Sequence, residues 1–127
     1  MLGEPDDIQA SRYAAILAGE EAQLRAVRPG ITAGDLFDVA VERVEQAGLK
    51  PYRRHHCGHA IGIEIYEQPI VSSGAATVLA PGMVLCVETP YYQIGWGGMM
   101  VEDALVVTET GCEVLSTSDR SLRVVGG

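Results

Sequence analysis

All three histidines of the chain lie within one short segment, HHCGHAIGIEIYEQP, at positions 55, 56 and 59. Imidazole is a good ligand for the borderline divalent metals Zn, Mn, Fe and Co. Gly58 stands directly before His59 and lets the backbone pass close to a site without steric conflict. His55 and His59 have the spacing of a helical zinc pair, but Gly58 and the missing glutamate argue against an HExxH motif. A histidine in a glycine-rich loop can also be structural or exposed, so further ligands are needed.

Two glutamates in apolar segments are the candidate further ligands. Alternation along GMVLCVETPYY (82–92) places Glu88 on one strand face with Val84 and Cys86. Glu102 is the only charge on one face of GGMMVEDALVVT (97–108). Burying a lone carboxylate is unfavourable unless a partner compensates it. Two strands that each place one glutamate among apolar residues therefore predict a shared cation, with His59 as the third ligand.

Simpler interpretations of the acidic residues stay open from the sequence. Asp103, next to Glu102, could be the buried carboxylate instead. Glu64 and Glu67 can face water at a sheet edge. Each residue alone gives weak evidence, and only their combination favours a metal site.

The elements that must position these residues are two helices followed by strands. Asp6 or Asp7 caps a predicted helix over 8–28 that ends at Pro29-Gly30, and Thr32 caps a second over 33–47 that ends at Gly48. Strands are expected over 61–66, 82–92 and 97–108, with a turn at 109–111 and a hairpin partner at 112–116. The pattern predicts an α+β fold with a mostly antiparallel sheet, in a single domain over residues 1–127.

Composition excludes several classes of function. The net charge of −8, from 17 acidic and 9 basic residues, opposes binding to nucleic acid or to anionic membranes. No continuous apolar stretch is long enough to span a bilayer. Cys57, Cys86 and Cys112 are odd in number and widely spaced, so we expect reduced, packed thiols and a cytoplasmic location.

Three ordered motifs resemble the pita-bread superfamily of methionine aminopeptidase, prolidase, aminopeptidase P and creatinase. GHAIGIEIYEQP resembles the family element GHGIGLExHExP, and LAPGMVLCVETPYY resembles LxxGMVxxxEPGxY. GGMMVEDALVVTETGCEVLS resembles GGxRxEDxxxVTxxGxExLT. The likeness covers nearly the whole chain and implies a pita-bread fold.

The resemblance also implies a metal centre and a reaction. In this family two Asp, one His and two Glu hold two divalent ions, and the motifs place the His at His59 and the Glu ligands at Glu88 and Glu102. A metal-bound hydroxide attacks the carbonyl carbon of a short peptide, often Xaa-Pro, or cleaves a related C–N bond. Glu88 would act as general base. His55 matches a family histidine that lines the substrate pocket.

The chain departs from the family pattern at three places. Neither Asp6 nor Asp7 matches the two aspartate ligands, and the motifs suggest an N-terminally truncated domain, as a shortened chain or half of a split enzyme. Tyr66 replaces a family histidine that stabilises the transition state, and tyrosine transfers protons poorly near neutral pH. Met100 replaces an arginine near Glu102.

These departures leave two classes of function open. One is a metallopeptidase of the Xaa-Pro type that is impaired or inactive as an isolated chain. It would hold one divalent ion (Mn, Co, Zn or Fe), two ions or no ion. The other is a non-catalytic binding module that keeps the fold. An open apolar sheet edge invites association, so we expect a homo-oligomer or a partner chain that covers it.

Overall fold

The computed structural model describes residues 1–126, in which two helices precede seven strands. The helices are α1 (Asp7–Ala26) and α2 (Ala33–Gln46). The strands are β1 (Gly58–Ala60), β2 (Glu67–Ile70), β3 (Val84–Glu88), β4 (Tyr91–Gln93), β5 (Gly97–Met99), β6 (Glu102–Val107) and β7 (Cys112–Val114). Neither helix within these residues is long and apolar enough to cross a membrane. The predicted α+β class and the order of two helices before a mostly antiparallel sheet are confirmed.

Both helices begin at capping boxes. The Asp6 carboxylate accepts a hydrogen bond from the Gln9 amide at 2.7 Å, and the Gln9 side chain accepts one from the Asp6 amide at 3.0 Å. Thr32 and Asp35 repeat this arrangement at α2. The caps satisfy amides that have no partner inside the helix. Thr32 is thus confirmed as a cap, and Asp6 rather than Asp7 caps α1.

The helix ends follow from proline and glycine. α1 ends at Ala26, two residues before the predicted end, because Pro29 disfavours helical backbone in the residue that precedes it. Gly48 follows α2 with φ +103°, a left-handed conformation in which glycine has no Cβ penalty.

The main sheet has five antiparallel strands in the order β2-β1-β3-β6-β7, and β4 and β5 form a separate hairpin. The expected strands over 82–92 and 97–108 are each divided between the two sheets. The first divides at Thr89-Pro90, where proline has no amide hydrogen to continue the ladder. The predicted turn and hairpin after β6 are confirmed, since β7 pairs with β6.

The strand expected over 61–66 is wrong, because these residues form a loop between β1 and β2. Ile63 and Ile65 are 102 % and 77 % exposed, so no neighbouring element covers the apolar side of the alternation. The Glu67 carboxylate accepts a hydrogen bond from the Glu64 amide at 3.0 Å and turns the chain back. An alternating segment forms a strand only where a neighbouring strand pairs with it, and no strand within the described chain pairs with residues 61–66.

The helices cover one face of the main sheet. The core side of β3 and β6 includes four apolar residues, all at most 1 % exposed: Leu85, Val87, Leu105 and Val107. Ile16 and Leu36 belong to the same buried cluster, whereas Ala47 is exposed at the end of α2. The opposite face of the sheet is left partly open to solvent, and it carries the candidate site.

Candidate metal site

Strand register brings the predicted site residues to the open face of the sheet. In the β1–β3 pair His59 lies opposite Cys86, and in the β3–β6 pair Glu88 lies opposite Glu102. Residues directly opposite each other in antiparallel strands project to the same side. These four side chains therefore share one face.

Three of these side chains form a compact donor cluster. A ring nitrogen of His59, the Cys86 sulfur and a Glu102 carboxylate oxygen lie within 4.8 Å of one another. Between residues 1 and 126 this is the one group of three or more such side chains able to hold a metal ion. Nitrogen, sulfur and oxygen donors of these types are typical ligands of borderline divalent ions.

His59 is held in a conformation suited to a ligand. The residue is 3 % exposed, and its Nδ1 lies 3.1 Å from the carbonyl oxygen of Ala60. A carbonyl oxygen only accepts hydrogen bonds, so Nδ1 is the donor in this contact and Nε2 is the nitrogen left available to a metal ion. This pairing of one ring nitrogen with a backbone carbonyl is common among histidines that bind metals through the other.

Gly58 lets β1 approach β3 at this point. A Cβ built on Gly58 would lie 2.5 Å from the Cys86 carbonyl oxygen, and its φ of +141° disfavours other residues. The expectation that glycine beside His59 allows close backbone approach is confirmed. Any side chain at position 58 would push His59 away from Cys86.

Glu88 lies beside the donor cluster rather than in it. It is 5 % exposed, and its Oε1 is 2.9 Å from Nε2 of His56, although Oε1 forms no hydrogen bond among the described residues. Its position opposite Glu102 places two carboxylates across neighbouring strands, which is unfavourable without a compensating cation. Sequence reasoning missed His56, although it follows His55 directly.

The structure decides which of the two neighbouring carboxylates, Glu102 or Asp103, is buried. Asp103 is 3 % exposed, faces the core side and pairs with Arg120. The inference that Glu102 is a buried lone carboxylate is wrong, because Glu102 is exposed on the uncovered face. Met100, 44 % exposed, supplies no charge near Glu102.

The remaining candidates lie at the rim of the site. Tyr66 is 56 % exposed and stacks on His59, with ring centroids 3.8 Å apart. His55 is exposed, with its ring centroid 6.5 Å from that of His56. A shallow cavity of about 450 Å³ opens here, lined by His59, the 61–66 loop, Cys86 and Glu102.

The site has a negative electrostatic character. Burial, followed by a hydrogen bond to Glu102, raises the pKa of Cys86 to about 11. Desolvation, followed by the carboxylates of Glu88 and Glu102, also raises the pKa of Tyr66. Burial raises the pKa of Glu20, on α1, to about 9, with Asp103, Glu102 and Glu88 adding to the shift. This acidic field favours a cation over an anion.

Cys86 is the donor that sequence reasoning did not identify. Strand alternation places it on the face of Glu88, but the odd number and wide spacing of the cysteines predict only a packed thiol. The cross-strand pairing with His59 was the missing information. Cys57, in contrast, is fully buried as expected.

Comparisons with known proteins identify the family to which the chain is similar. A family model described as metallopeptidase family M24 matches residues 1–109. The Xaa-Pro dipeptidase of Pyrococcus furiosus is 34 % identical over 122 residues, which cover 96 % of this chain and 35 % of the relative. The probable dipeptidase PepE of Mycobacterium tuberculosis is 36 % identical over 98 % of this chain and 33 % of its own length.

Solved structures show the same correspondence. The dipeptidase PepE of Mycobacterium ulcerans superposes with a TM-score of 0.93 at 34 % identity, over 99 % of this chain and 34 % of that one. The chain thus has the architecture of part of a pita-bread fold and spans about a third of the length of these relatives.

Proposed function

The chain belongs to metallopeptidase family M24, and on that premise we propose that its open sheet face is the metal-binding part of an Xaa-Pro peptidase-type hydrolase. The observation that carries the proposal is the convergence of His59 and Glu102 on one face, with Glu88 directly opposite Glu102. An imidazole and two opposed carboxylates fit a divalent cation.

We assign the binding of the ion to His59, Glu88 and Glu102. A bound divalent ion would supply a Lewis acid that polarises a peptide carbonyl and lowers the pKa of water. The contact of Nδ1 with the Ala60 carbonyl restrains the His59 ring and leaves Nε2 as the nitrogen that we assign to the ion, and Gly58 allows β1 to lie near β3.

Proton transfer is assigned to Glu88. Its carboxylate is nearly buried, and its Oε1 is 2.9 Å from His56 Nε2, which places a base and a second titratable group side by side. The Glu88 carboxylate can accept a proton from the attacking water, and His56 lies directly beside it. Tyr66 can donate a phenolic hydrogen bond at the rim, and we assign the exposed His55 to substrate contact.

The substrate class that we propose is a short peptide or another small amide. Of the relatives described above, one is named an Xaa-Pro dipeptidase and another a probable dipeptidase, and the cavity of about 450 Å³ has the size of a small-molecule site. The exposed Ile63 and Ile65 border it and offer apolar contacts to a substrate side chain.

We further propose that the isolated chain is impaired. Asp6 caps α1 through Gln9 and so does not replace either aspartate ligand of the family pattern. Three donors should hold one ion more weakly than five donors hold two. The alternative, a binding module without catalysis, is favoured by Tyr66 and Met100, which replace the family histidine and arginine.

The test is hydrolysis of Xaa-Pro dipeptides with added Mn²⁺ or Co²⁺. Metal-dependent turnover that Glu102→Ala abolishes supports the hydrolase. Glu113→Ala, which removes an exposed glutamate from the neighbouring strand β7, is the matched control and should retain activity. Turnover that survives Glu102→Ala would refute the role of Glu102, whereas metal binding without turnover would favour the binding module.

A further inference from the structure

We propose that the Cys86 thiolate is a direct metal ligand, which makes this a mixed nitrogen, sulfur and oxygen site that prefers Zn²⁺ over Mn²⁺. This inference rests on the proposed metal-binding function and adds a donor outside the family set of Asp, His and Glu. It is carried by the cluster in which the Cys86 sulfur, a His59 ring nitrogen and a Glu102 oxygen lie within 4.8 Å.

Cys86 occupies the middle of the site. It lies on the central strand β3, opposite His59 on β1 and opposite Ala104 on β6. Because the side chain of Ala104 is small, it leaves room beside Cys86 on the open face of the sheet. Glu102, two residues before Ala104 on the same face of β6, can occupy this room. The sulfur is therefore flanked by the other two donors from both neighbouring strands.

The other two cysteines have different surroundings. Cys57 is fully buried in the core. The Cys112 sulfur, on β7, donates a hydrogen bond to the Leu24 carbonyl at 3.4 Å. Cys86 is half-buried and lines the cavity together with His59 and Glu102. Its position, rather than its residue type, makes it a candidate ligand.

The distances are compatible with coordination. Bonds of about 2.0–2.3 Å in a tetrahedral zinc site require donor separations of roughly 3.3–3.8 Å. Donors that already lie within 4.8 Å can reach this range by small side-chain adjustments. Every donor in the cluster is of a type found in zinc sites.

Ligand chemistry then gives the metal preference. Thiolate is a soft donor that favours Zn²⁺, whereas carboxylate and water ligands suit Mn²⁺. On binding, the S–H bond of Cys86 breaks, a sulfur–metal bond forms, and the proton passes to solvent. Cys86→Ser should reduce Zn²⁺ affinity by about tenfold to a hundredfold, while Mn²⁺ affinity changes by less than about threefold.

Co²⁺ is the probe that distinguishes this inference from the proposed function, since a thiolate ligand gives a charge-transfer band in the near ultraviolet. We expect the band in the unmodified chain and in Cys112→Ser, a control at a cysteine of similar exposure, but not in Cys86→Ser. Titration of each variant with Zn²⁺ and Mn²⁺ gives the selectivity.

Each contrary result has a distinct meaning. Co²⁺ binding that His59→Ala abolishes, without any charge-transfer band, would overturn the thiolate ligand and leave the proposed metal site intact. A band that persists in Cys86→Ser would also overturn it. Failure of the unmodified chain to bind Co²⁺ and Zn²⁺ would overturn this inference and the proposed function together.

Discussion

Replacing Glu20 by glutamine tests the acidic field around the site. Glu20 lies on α1 and is 0 % exposed, and neither of its carboxylate oxygens has a hydrogen-bond partner within the described part of the chain. Burial, reinforced by Asp103, Glu102 and Glu88 and opposed by Arg120, raises its pKa from 4.5 to about 9. Glutamine has nearly the same shape and stays neutral at every pH, so it isolates the effect of ionisation.

The sign and the size of the effect follow from proton linkage. Between about pH 4.5 and 9 the folded chain retains a proton that the unfolded chain has lost, so stability falls as pH rises through this window. One pKa unit corresponds to about 1.4 kcal/mol, so retaining this proton costs about 3 kcal/mol of folding free energy at pH 7. Glu20→Gln should therefore gain stability over the unmodified chain as pH rises, by about 2–4 kcal/mol from pH 5.5 to 8.5.

Urea unfolding at several pH values measures this difference. Glu21→Gln is the matched control, because Glu21 is the next residue on α1 and its side chain is 49 % exposed. The control should show no comparable gain with pH. If the unfolding free energies of Glu20→Gln and the unmodified chain stay parallel over the whole range, Glu20 is ionised or hydrated in the folded state and the reasoning fails.

Three further predictions concern the site and its surroundings. Zn²⁺ at a hundred times the dissociation constant of the unmodified chain should stabilise that chain by about 2.7 kcal/mol in thermal or urea unfolding. An equal gain in Glu102→Gln at the same Zn²⁺ concentration would contradict the role of Glu102 as a ligand. Tyr66→Phe should keep metal affinity and lower kcat by about tenfold where turnover is present, because only the phenolic hydrogen bond is lost; an unchanged kcat would remove Tyr66 from the catalytic group. Sedimentation at micromolar concentration should show a homo-oligomer that Ile63→Ser with Ile65→Ser weakens, and a monodisperse monomer of the unmodified chain would refute the predicted association.

The helices could be predicted closely because their determinants are local. Asp6 and Thr32 bond to residues three positions away, and Pro29 and Gly48 act on the adjacent backbone. The helix ends can therefore be predicted from residues that are close in sequence. The deviations at α1 are confined to the terminal residues.

The strands and the site depend on partners that are distant in sequence. The 61–66 segment alternates like a strand, yet it stays a loop because no strand pairs with it. Alternation placed Cys86 beside Glu88, but only the register of β1 against β3 brings Cys86 to His59. Periodicity also gives no information on which sheet face the helices cover, which is why Glu102 proved exposed and Asp103 buried.

The central claim is that a divalent ion binds between His59 and Glu102, and anomalous diffraction tests it most directly. Crystals of the chain grown with Zn²⁺ should show an anomalous peak at the zinc edge within about 2.0–2.3 Å of His59 Nε2 and a Glu102 oxygen. Crystals of Glu102→Gln grown in the same way should show this peak reduced or absent. A peak that lies elsewhere, or no peak beside His59 at a Zn²⁺ concentration that saturates the chain in solution, would contradict the account.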